Sequence, residues 1–325
     1  MTVNGRPVLV TGGAGFLGSH LVDLLVHDGH NVVVLDDGSR GSWSSVPQGV
    51  RRVDGDVRDA EAWAQVEALV GPVGLVHHLG AINGTARFDR EATAVVDVAV
   101  NGALQAIEAA RRWSARLVLC SSPEAFGHEE GAMQPGADHR FPDVRTHLRH
   151  AYGASKYIVE VLGQDAHRSG VDVRVARPCN AYGPRARAGR DGQVVAMMFE
   201  RALQGRALEV HGSGHQARSF TWVGDVVRGL HLLGNLDEGV DGSGALSGAI
   251  MNFGIEEETT VLELAHRIAA LTGASIQHRP EGGQPGDARR RRPDALEAQQ
   301  RLGWRADVSL DEGLARTWEA LQGAP

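Results

Sequence analysis

Residues 8–18 read VLVTGGAGFLG, an apolar run that leads directly into glycines at every third position. The pattern predicts a β-strand, a tight turn and the start of a helix. Gly12 would allow the turn, Gly15 would let a pyrophosphate approach the backbone, and Gly18 would let the helix pack closely on the strand. The free N–H groups at the helix start would face the phosphates. The stretch therefore predicts the beginning of a dinucleotide-binding fold.

Three later stretches support this prediction, because each ends in a motif expected at the edge of such a sheet. Val32–Leu35 is followed by Asp36, about where an acid that binds ribose hydroxyls should come after the glycines. The other two runs end at Gly55-Asp56-Val57 and at His77-His78-Leu79-Gly80. The carboxylate of Asp36 would repel a 2′-phosphate, so the predicted cofactor is NAD and not NADP.

The composition is that of an ordinary globular protein, with 325 residues of which 42% are hydrophobic and 22% charged. The formal net charge of -7 argues against a nucleic-acid partner, since phosphate binding needs a basic face. Cys120 and Cys179 are expected to be free thiols, and no histidine cluster predicts a metal site. No apolar run approaches the roughly 18 residues of a membrane span, and the polar start shows no signal peptide. We therefore expect a cytoplasmic protein with no membrane partner.

The apolar runs and the segments between them predict the architecture. Strands are predicted at 8–10, 32–35, 51–54, 74–79, 115–120 and 171–176, and they alternate with helices at about 15–29, 59–69, 91–112 and 152–169. Strands that are apolar on nearly every residue indicate a parallel sheet covered on both faces. Right-handed crossovers then give an α/β fold with a doubly wound parallel (Rossmann) sheet, whose ligands bind at the carboxyl ends of the strands.

The regular alternation stops after about residue 178, where Pro, Gly and Arg residues predict a loop region. Residues 219–235 read as a strand and a helix that return to the first unit. We therefore predict a Rossmann domain formed by residues 1–178 and 219–247. A smaller, discontinuous α/β substrate domain would contain residues 179–218 and 248–325.

Tyr152 and Lys156 are four residues apart at the start of a predicted helix, so their side chains share one face. A lysine ammonium favours the phenolate and lowers the tyrosine pKa, which would make Tyr152 a general base for an alcohol hydroxyl. Ser122 follows the fifth strand and either binds the same substrate oxygen or caps the following turn. Glu124 is either a second catalytic acid or base, or a solvated loop acid.

These features resemble the extended short-chain dehydrogenases/reductases, which modify nucleotide sugars. The motifs that carry the resemblance are Thr11–Gly18, Asp36–Asp37, Gly55–Val57, His78–Ala81, Ser121–Gly127, Tyr152–Lys156, Arg177–Pro184, Gly212–Gly214, Arg218, Asp225, Arg292–Asp294 and Leu302–Trp304. The resemblance implies that Ser122, Tyr152 and Lys156 are catalytic, and that Asn180 and Arg218 hold the substrate diphosphate. It also implies a cofactor site formed by Gly12, Gly15, Phe16, Leu17, Asp36, Asp37, Asp56, Val57, Leu79, Ala81, Tyr152 and Lys156.

Motifs in the C-terminal part of the chain are most similar to one group within this family. Residues 191–195 and the run Arg289–Arg292, which precedes Pro293-Asp294, are most similar to UDP-glucuronate decarboxylases. Arg291 is therefore a further candidate for substrate binding. The alternative interpretation of the arginine run is a solvated basic face.

Three departures from the family pattern fall around the predicted sugar site. Ala99 replaces an asparagine, Phe126 replaces a tyrosine, and Pro123 stands where dehydratases have aspartate and decarboxylases have serine. Because proline has no titratable group, the Asp–Glu pair that dehydration would use is missing.

The catalytic set would oxidise a hexose C4 hydroxyl to a ketone, and the next step decides the reaction. Return of the hydride to the other face gives a 4-epimer and needs only Ser122, Tyr152, Lys156 and room for the sugar to turn. Loss of a C6 carboxylate as carbon dioxide would use Glu124 and an arginine. We therefore predict an NAD-dependent nucleotide-sugar 4-epimerase, with a UDP-glucuronate decarboxylase as the alternative. A dehydratase, a ketoreductase and a non-catalytic NAD-binding regulator stay open.

A homodimer is also predicted. The helices at about 91–112 and 152–169 carry apolar residues on more than one face, namely Ala106, Ile107, Ala110, Ile158, Val159 and Leu162. A helix buried on two sides needs a second partner, and pairing across a two-fold axis would give a four-helix interface, as the resemblance also implies.

Overall fold

The computed structural model describes most of the chain. The described residues are 5–127, 131–133, 138, 140–141, 143–145, 148, 150–189, 192–281 and 290–323. Their strands are β1 (Val8–Thr11), β2 (Val32–Asp36), β3 (Arg51–Asp54), β4 (Leu75–His78), β5 (Arg116–Cys120), β6 (Gly131–Met133), β7 (Val173–Pro178), β8 (Ala181–Tyr182), β9 (Leu208–His211), β10 (Ala217–Arg218), β11 (Thr221–Trp222), β12 (Ile250–Phe253), β13 (Thr259–Thr260), β14 (Ile276–Arg279) and β15 (Arg290–Pro293). Their α-helices are α1 (Phe16–His27), α2 (Ala60–Val70), α3 (Thr85–Arg90), α4 (Ala92–Trp113), α5 (Ala151–Arg168), α6 (Val194–Leu203), α7 (Val223–Asn235), α8 (Val261–Thr272), α9 (Leu296–Leu302) and α10 (Leu310–Gln322). Short 3₁₀ helices lie at Trp43–Ser45 and Pro123–Phe126.

Seven parallel strands form the central sheet in the order β12-β7-β5-β4-β1-β2-β3. Successive side chains of a strand point to opposite faces, and here both faces are buried. Leu9 lies in the core formed with α2, α4 and α5, whereas Val8 and Val10 lie in the core formed with α1 and α7. The doubly wound parallel α/β sheet predicted from the apolar runs is confirmed.

The structure differs from the prediction at β12. The predicted division places residues 248–325 in the smaller domain, but β12 pairs in parallel with β7 at the edge of the central sheet. Trp304 also belongs to the main core, where its ring meets Phe253 edge-on at 5.2 Å and its Nε1 donates to the Asp225 carbonyl at 2.8 Å. Local sequence does not reveal this pairing, because β7 ends at residue 178 and its partner begins at residue 250.

A second core brings α6, α8 and α10 together with β9 and β14. Phe199 and Leu264 are fully buried in it, and Phe199 stacks on Trp318 with ring centroids 5.7 Å apart. Much of this core comes from the segments predicted to bind substrate, and that assignment stays a prediction. No helix in the described part of the chain is long and apolar enough to cross a membrane.

The apolar residues of α4 and α5 divide between the core and the surface. Of the six that predict a dimer, the structure buries Ala106, Ile107, Ala110 and Val159 in the main core, half-buries Leu162 and exposes Ile158. The inner faces of both helices rest on the sheet, which explains why the small residues are buried. The outer apolar face consists instead of Leu104, Tyr157, Ile158 and Val161, which are between 40% and 50% exposed.

Candidate active site

The glycine turn lies between β1 and α1 and packs against the loop that follows β4. Gly12 has φ +67°, and a Cβ placed on it would lie 2.8 Å from the Gly80 nitrogen. A Cβ on Gly18 would lie 2.0 Å from the Gly12 carbonyl oxygen, so a side chain there would push α1 away from the turn. Gly15 is the N-cap of α1, and the half-buried Phe16 and Leu17 begin the helix. Backbone N–H groups at such a helix start bind pyrophosphate, so these residues fit NAD.

Asp36 ends β2 beside this turn, as predicted. Its buried carboxylate accepts hydrogen bonds from the Ala14 N–H at 3.0 Å and the Gly38 N–H at 2.8 Å. Burial raises the pKa of this carboxyl, while the two N–H donors oppose the rise. Asp37 is exposed and accepts from the backbone N–H and the hydroxyl of Ser39. The Asp36 carboxylate is therefore fixed next to the glycine turn, as an acid that binds ribose hydroxyls requires.

Asp56, which follows β3, is held by an arginine that no sequence motif indicated. The Arg58 Nε lies 3.0 Å and 3.1 Å from the two carboxylate oxygens, and Arg58 also pairs with Asp97 on α4. The hydrogen bond from Arg58 lowers the pKa of Asp56. Arg58 therefore fixes the orientation of this candidate cofactor ligand.

The loops after β3 and β4 meet at Val57 and Gly80. A Cβ on Gly80 would lie 2.8 Å from Val57 Cγ1, so only a glycine lets the two loops approach this closely. Leu79 and Ala81 flank this glycine and are half-buried. The structure thus brings the cofactor candidates of four successive strands to one edge of the sheet, where the fold predicts them.

Ser122, Tyr152 and Lys156 meet at the carboxyl end of β5. All three are more than nine-tenths buried, and Ser122 lies close enough to Tyr152 to lower its pKa. The Lys156 Nζ donates to the Cys120 carbonyl at 2.7 Å and lies 5.7 Å from the centre of the Tyr152 ring. Ser122 also accepts from the Glu124 N–H at 3.2 Å. The serine therefore caps the 3₁₀ helix, which was the alternative to a catalytic role, and at the same time contacts the tyrosine.

The protein groups around Tyr152 favour the protonated form of its phenol. Burial raises the pKa of Tyr152, Cys120 and Glu124 raise it further, and the hydrogen bond with Ser122 opposes them. Burial lowers the pKa of Lys156. A positive charge bound within about 4–6 Å would favour the phenolate, because it stabilises the charged form.

A buried ion pair supports the site from within the fold. Arg177 donates through Nε and Nη2 to the two carboxylate oxygens of Glu160 at 2.7 Å and 2.6 Å, and the Ser121 hydroxyl donates to Glu160 at 2.5 Å. The Arg177 guanidinium lies 4.4 Å from the centre of the Phe126 ring. This cation–π contact needs only an aromatic face, so the phenylalanine at position 126 can make it without a hydroxyl. The signal for Glu160 in the sequence is its position one helical turn after Lys156.

Glu124 lies in the 3₁₀ helix directly after Ser122 and is half-buried. A Cβ on Gly153 would lie 2.3 Å from the Glu124 carbonyl oxygen, so α5 packs directly against this segment. Pro123 is buried beside Ser122, and Ala99 is buried in the main core. The structure thus places Glu124 next to the three predicted catalytic residues, and its own role as an acid or base stays a prediction.

The residues predicted to hold the diphosphate follow β7 and form β10. Asn180 has φ +41°, and its Nδ2 donates to the Ser219 carbonyl at 3.0 Å. Arg218 is half-buried, and its backbone pairs in parallel register with that of Arg291 in β15. The side chain of Arg291 and the whole of Arg289 lie outside the described residues, as do residues 190–191.

Phe88 on α3 is a further neighbour of Tyr152 that no motif indicated. Its ring stacks on that of Tyr152 with centroids 4.3 Å apart. Within the residues that the structure describes, no group of three or more His, Cys, Asp or Glu is arranged to hold a metal ion. Cys120 and Cys179 are free thiols, as predicted.

Comparison with known proteins adds to this geometry. Residues 8–247 match the family described as the NAD dependent epimerase/dehydratase family. The chain is 35% identical over 316 residues to UDP-glucuronic acid decarboxylase 1 of Danio rerio. This alignment covers 96% of this chain and 72% of the relative. It is similar in structure to UDP-glucose 4-epimerase of Thermotoga maritima with UDP-glucose, with a TM-score of 0.87, 30% identity and coverage of 97% and 98% of the two chains. It is also similar to MoeE5 in complex with UDP-glucuronic acid and NAD, with a TM-score of 0.80, 28% identity and coverage of 97% and 99%.

Proposed function

The chain belongs to the NAD dependent epimerase/dehydratase family, and we propose that it uses NAD to oxidise the C4 hydroxyl of UDP-glucuronic acid. The observation that carries the proposal is the meeting of Ser122, Tyr152 and Lys156 at the sheet edge that holds the glycine turn. The choice of sugar is supported by two similar proteins. One is a UDP-glucuronic acid decarboxylase, and the other, MoeE5, is solved with UDP-glucuronic acid and NAD.

The three side chains divide the first step between them. Tyr152 takes the proton of the C4 hydroxyl, and Ser122 donates a hydrogen bond to the same oxygen. Lys156 stabilises the negative charge of the phenolate from the same face of α5. NAD, when bound, supplies the hydride acceptor and a positive charge. Tyr152 returns its proton to the C4 oxygen when the ketone is reduced again, so the protein ends the cycle unchanged.

Decarboxylation is the outcome that we propose first. A ketone at C4 makes the C6 carboxylate a β-keto acid, so the C5–C6 bond can break with loss of carbon dioxide. The electron pair of that bond forms an enolate, and C5 then takes a proton before the C4 ketone is reduced. Glu124 is the candidate donor of this proton, because it is half-buried and follows the catalytic serine in the same 3₁₀ helix. The identity to a UDP-glucuronic acid decarboxylase supports this outcome.

A second candidate is 4-epimerisation, the outcome favoured from the sequence. It needs no acid beyond the tyrosine: the keto sugar turns in the site, and C4 is reduced from its opposite face. Two observations support it. Pro123, beside the catalytic serine, is buried and has no titratable group, and the fold is similar to that of a UDP-glucose 4-epimerase.

Incubation with NAD and either UDP-glucuronic acid or UDP-glucose tests the proposal, with products identified by mass spectrometry and NMR. Loss of carbon dioxide from UDP-glucuronic acid supports decarboxylation, and an unchanged mass with inverted C4 supports epimerisation. Loss of water from UDP-glucose would mean dehydration and contradict both. If NAD binds but neither sugar changes, the proposed reaction is wrong, and a non-catalytic NAD-binding regulator becomes the better interpretation.

Glu124→Gln separates the two candidates. The substitution keeps the side-chain size and the backbone N–H that Ser122 accepts from, so the 3₁₀ helix should persist. We expect decarboxylation to fall by about 10²-fold or more, as for loss of a general acid, whereas epimerisation should change little. Turnover of each sugar is the measurement, and an unchanged NAD affinity is the control. Full decarboxylation by the variant would exclude Glu124 as the proton donor.

A further inference from the structure

α3 lies between β4 and α4 and covers one face of the catalytic tyrosine. Phe88 and Tyr152 stack with ring centroids 4.3 Å apart and planes 5° from parallel. The two residues are 5% and 7% exposed, and Val95 and the half-buried Ile82 complete the cluster. One flat face of the phenol is therefore in contact with an aromatic ring and not with water.

Polar contacts on either side of Phe88 hold α3 in place. The Asp89 carboxylate accepts from the Leu148 N–H at 3.0 Å, which joins α3 to the segment before α5. Arg87 donates to Glu91 at 2.8 Å across one helical turn. Phe88 is thus placed by its neighbours in the chain as well as by its own packing.

We propose that Phe88 is a positioning residue for Tyr152, and that its ring keeps the phenol hydroxyl directed at Ser122. The catalytic consequence rests on the proposed function, but the contact itself is independent of any substrate. A general base must keep its oxygen within hydrogen-bond reach of the proton that it removes. Because offset aromatic rings attract each other in a defined geometry, a stacked phenol cannot tilt without losing that contact.

The stack also limits the access of water to the base. Burial raises the pKa of Tyr152, and the Phe88 ring supplies part of that burial. Without the ring, water would solvate the phenolate and lower the pKa. The acid limb of the turnover profile should then move to lower pH, an effect that a loss of overall stability alone would not produce.

Nitration of tyrosine by tetranitromethane tests the contact without a substrate. The chain has three tyrosines, so peptide mass spectrometry can follow each one separately. In the wild type we expect Tyr152 to react as slowly as Tyr182, which is 1% exposed and serves as the buried control. In Phe88→Leu, which keeps an apolar side chain but lacks the flat face, Tyr152 should react about tenfold faster while Tyr182 does not change. An unchanged rate at Tyr152 would overturn the inference.

Turnover tests the catalytic consequence, with Val95→Ala as the matched control. Val95 belongs to the same cluster, but it contributes no ring to the stack of Phe88 and Tyr152. We expect Phe88→Leu to lower kcat about tenfold and to move the acid limb, since misplacement of the base is costly. Phe88→Tyr keeps an aromatic ring at this position, so its kcat and acid limb should match those of the wild type. Val95→Ala should change only the Tm. Equal pH profiles for wild type and Phe88→Leu, or an equal shift in Val95→Ala, would contradict the proposal. Absence of any turnover in the wild type would refute the proposed function but not the nitration result.

Discussion

Tyr152 is packed against Phe88 and Val95, so a change that removes only its hydroxyl leaves the apolar cluster intact. Tyr152→Phe is therefore expected to fold and to bind NAD normally, but to slow turnover by about 10²–10⁴-fold, the usual contribution of general acid–base catalysis. Initial rates at saturating NAD measure the loss, and circular dichroism checks the fold. Turnover above half of the wild-type rate would contradict the mechanism.

Substitutions of Lys156 and of Ser122 should differ in their effect on NAD binding. Lys156→Met removes a buried ammonium, and we expect this lysine also to reach the nicotinamide ribose, so both turnover and NAD binding should weaken. Ser122→Ala removes one hydrogen bond and should cost about 10-fold in turnover with little change in NAD affinity. NAD titration of both variants distinguishes them. Equal loss of NAD affinity in the two would show that the lysine has no separate contact with the cofactor.

Asp36 should determine which cofactor binds. Its carboxylate is fixed by two backbone N–H groups beside the glycine turn, where it can accept from ribose hydroxyls and repel a 2′-phosphate. Asp36→Ala should weaken NAD binding by about 1–3 kcal/mol, typical for the loss of hydrogen bonds to a charged group. Titration of wild type and variant with NAD and NADP is the measurement. Tighter binding of NADP by the wild type would show that the assignment is wrong.

Motifs with fixed spacing allowed much of the site to be predicted. The glycine turn and the pair Tyr152 and Lys156 are local patterns, and the sheet then brings them to one edge. Phe88, the contact of Arg58 with Asp97 and the Glu160–Arg177 pair were not predicted, because in each of them the two partners lie on different elements. Packing between elements decides these contacts, and local sequence patterns do not show it. For Glu160 the sequence gives only its position one helical turn after Lys156.

Helices α4 and α5 present an outer apolar face that water would cover in a monomer. Burying this face against a second copy would remove its apolar area from water, so we expect a homodimer. Ile158→Glu with Val161→Glu should give a monomer, because unpaired charges buried in an apolar interface cost several kcal/mol. Light scattering measures the mass, and Leu69→Glu on α2, also an exposed apolar residue, is the control. A wild-type monomer at micromolar concentration would contradict the prediction.

The positions of the strands were predicted more reliably than the pairing between them. β1, β2 and β5 are mostly apolar, and the structure places each within one or two residues of the prediction. The position of β12 was missed because a short strand after a Gly- and Ser-rich loop carries no mark of the strand that it joins. The sequence prediction also did not separate the inner faces of α4 and α5 from their outer faces, because alanines and branched residues alternate around both helices.

The protein as a whole should lose stability in mild acid. His77 is fully buried, neither ring nitrogen has a hydrogen-bond partner among the described residues, and burial lowers its pKa from 6.5 to about 3. Burial likewise lowers the pKa of His30 and His231 nearby, and Asp28 lies 3.4 Å from His231. Below pH 6.5 the unfolded chain binds protons that the folded chain excludes, so the free energy of unfolding falls as the pH falls.

His77→Leu tests this pH dependence. Each such histidine contributes roughly 1.4 kcal/mol for each pH unit between its unfolded and folded pKa values, so the variant should lose less stability on acidification by about that amount. Urea unfolding at about pH 7 and about pH 5.5 measures the slope. His27, an exposed residue at the end of α1, provides the control through His27→Leu. Equal slopes in wild type and His77→Leu would contradict the prediction.

The late position of β12 in the chain also matters for how the protein is made. The strand ends at residue 253 of 325, so the ribosome has to synthesise most of the chain before the sheet is complete. Until then the outer edge of β7 has unpaired N–H and C=O groups, and an open strand edge is a template for pairing with another nascent chain. We therefore expect the pairing of β12 with β7 to close this edge late in synthesis and to reduce aggregation of the nascent chain.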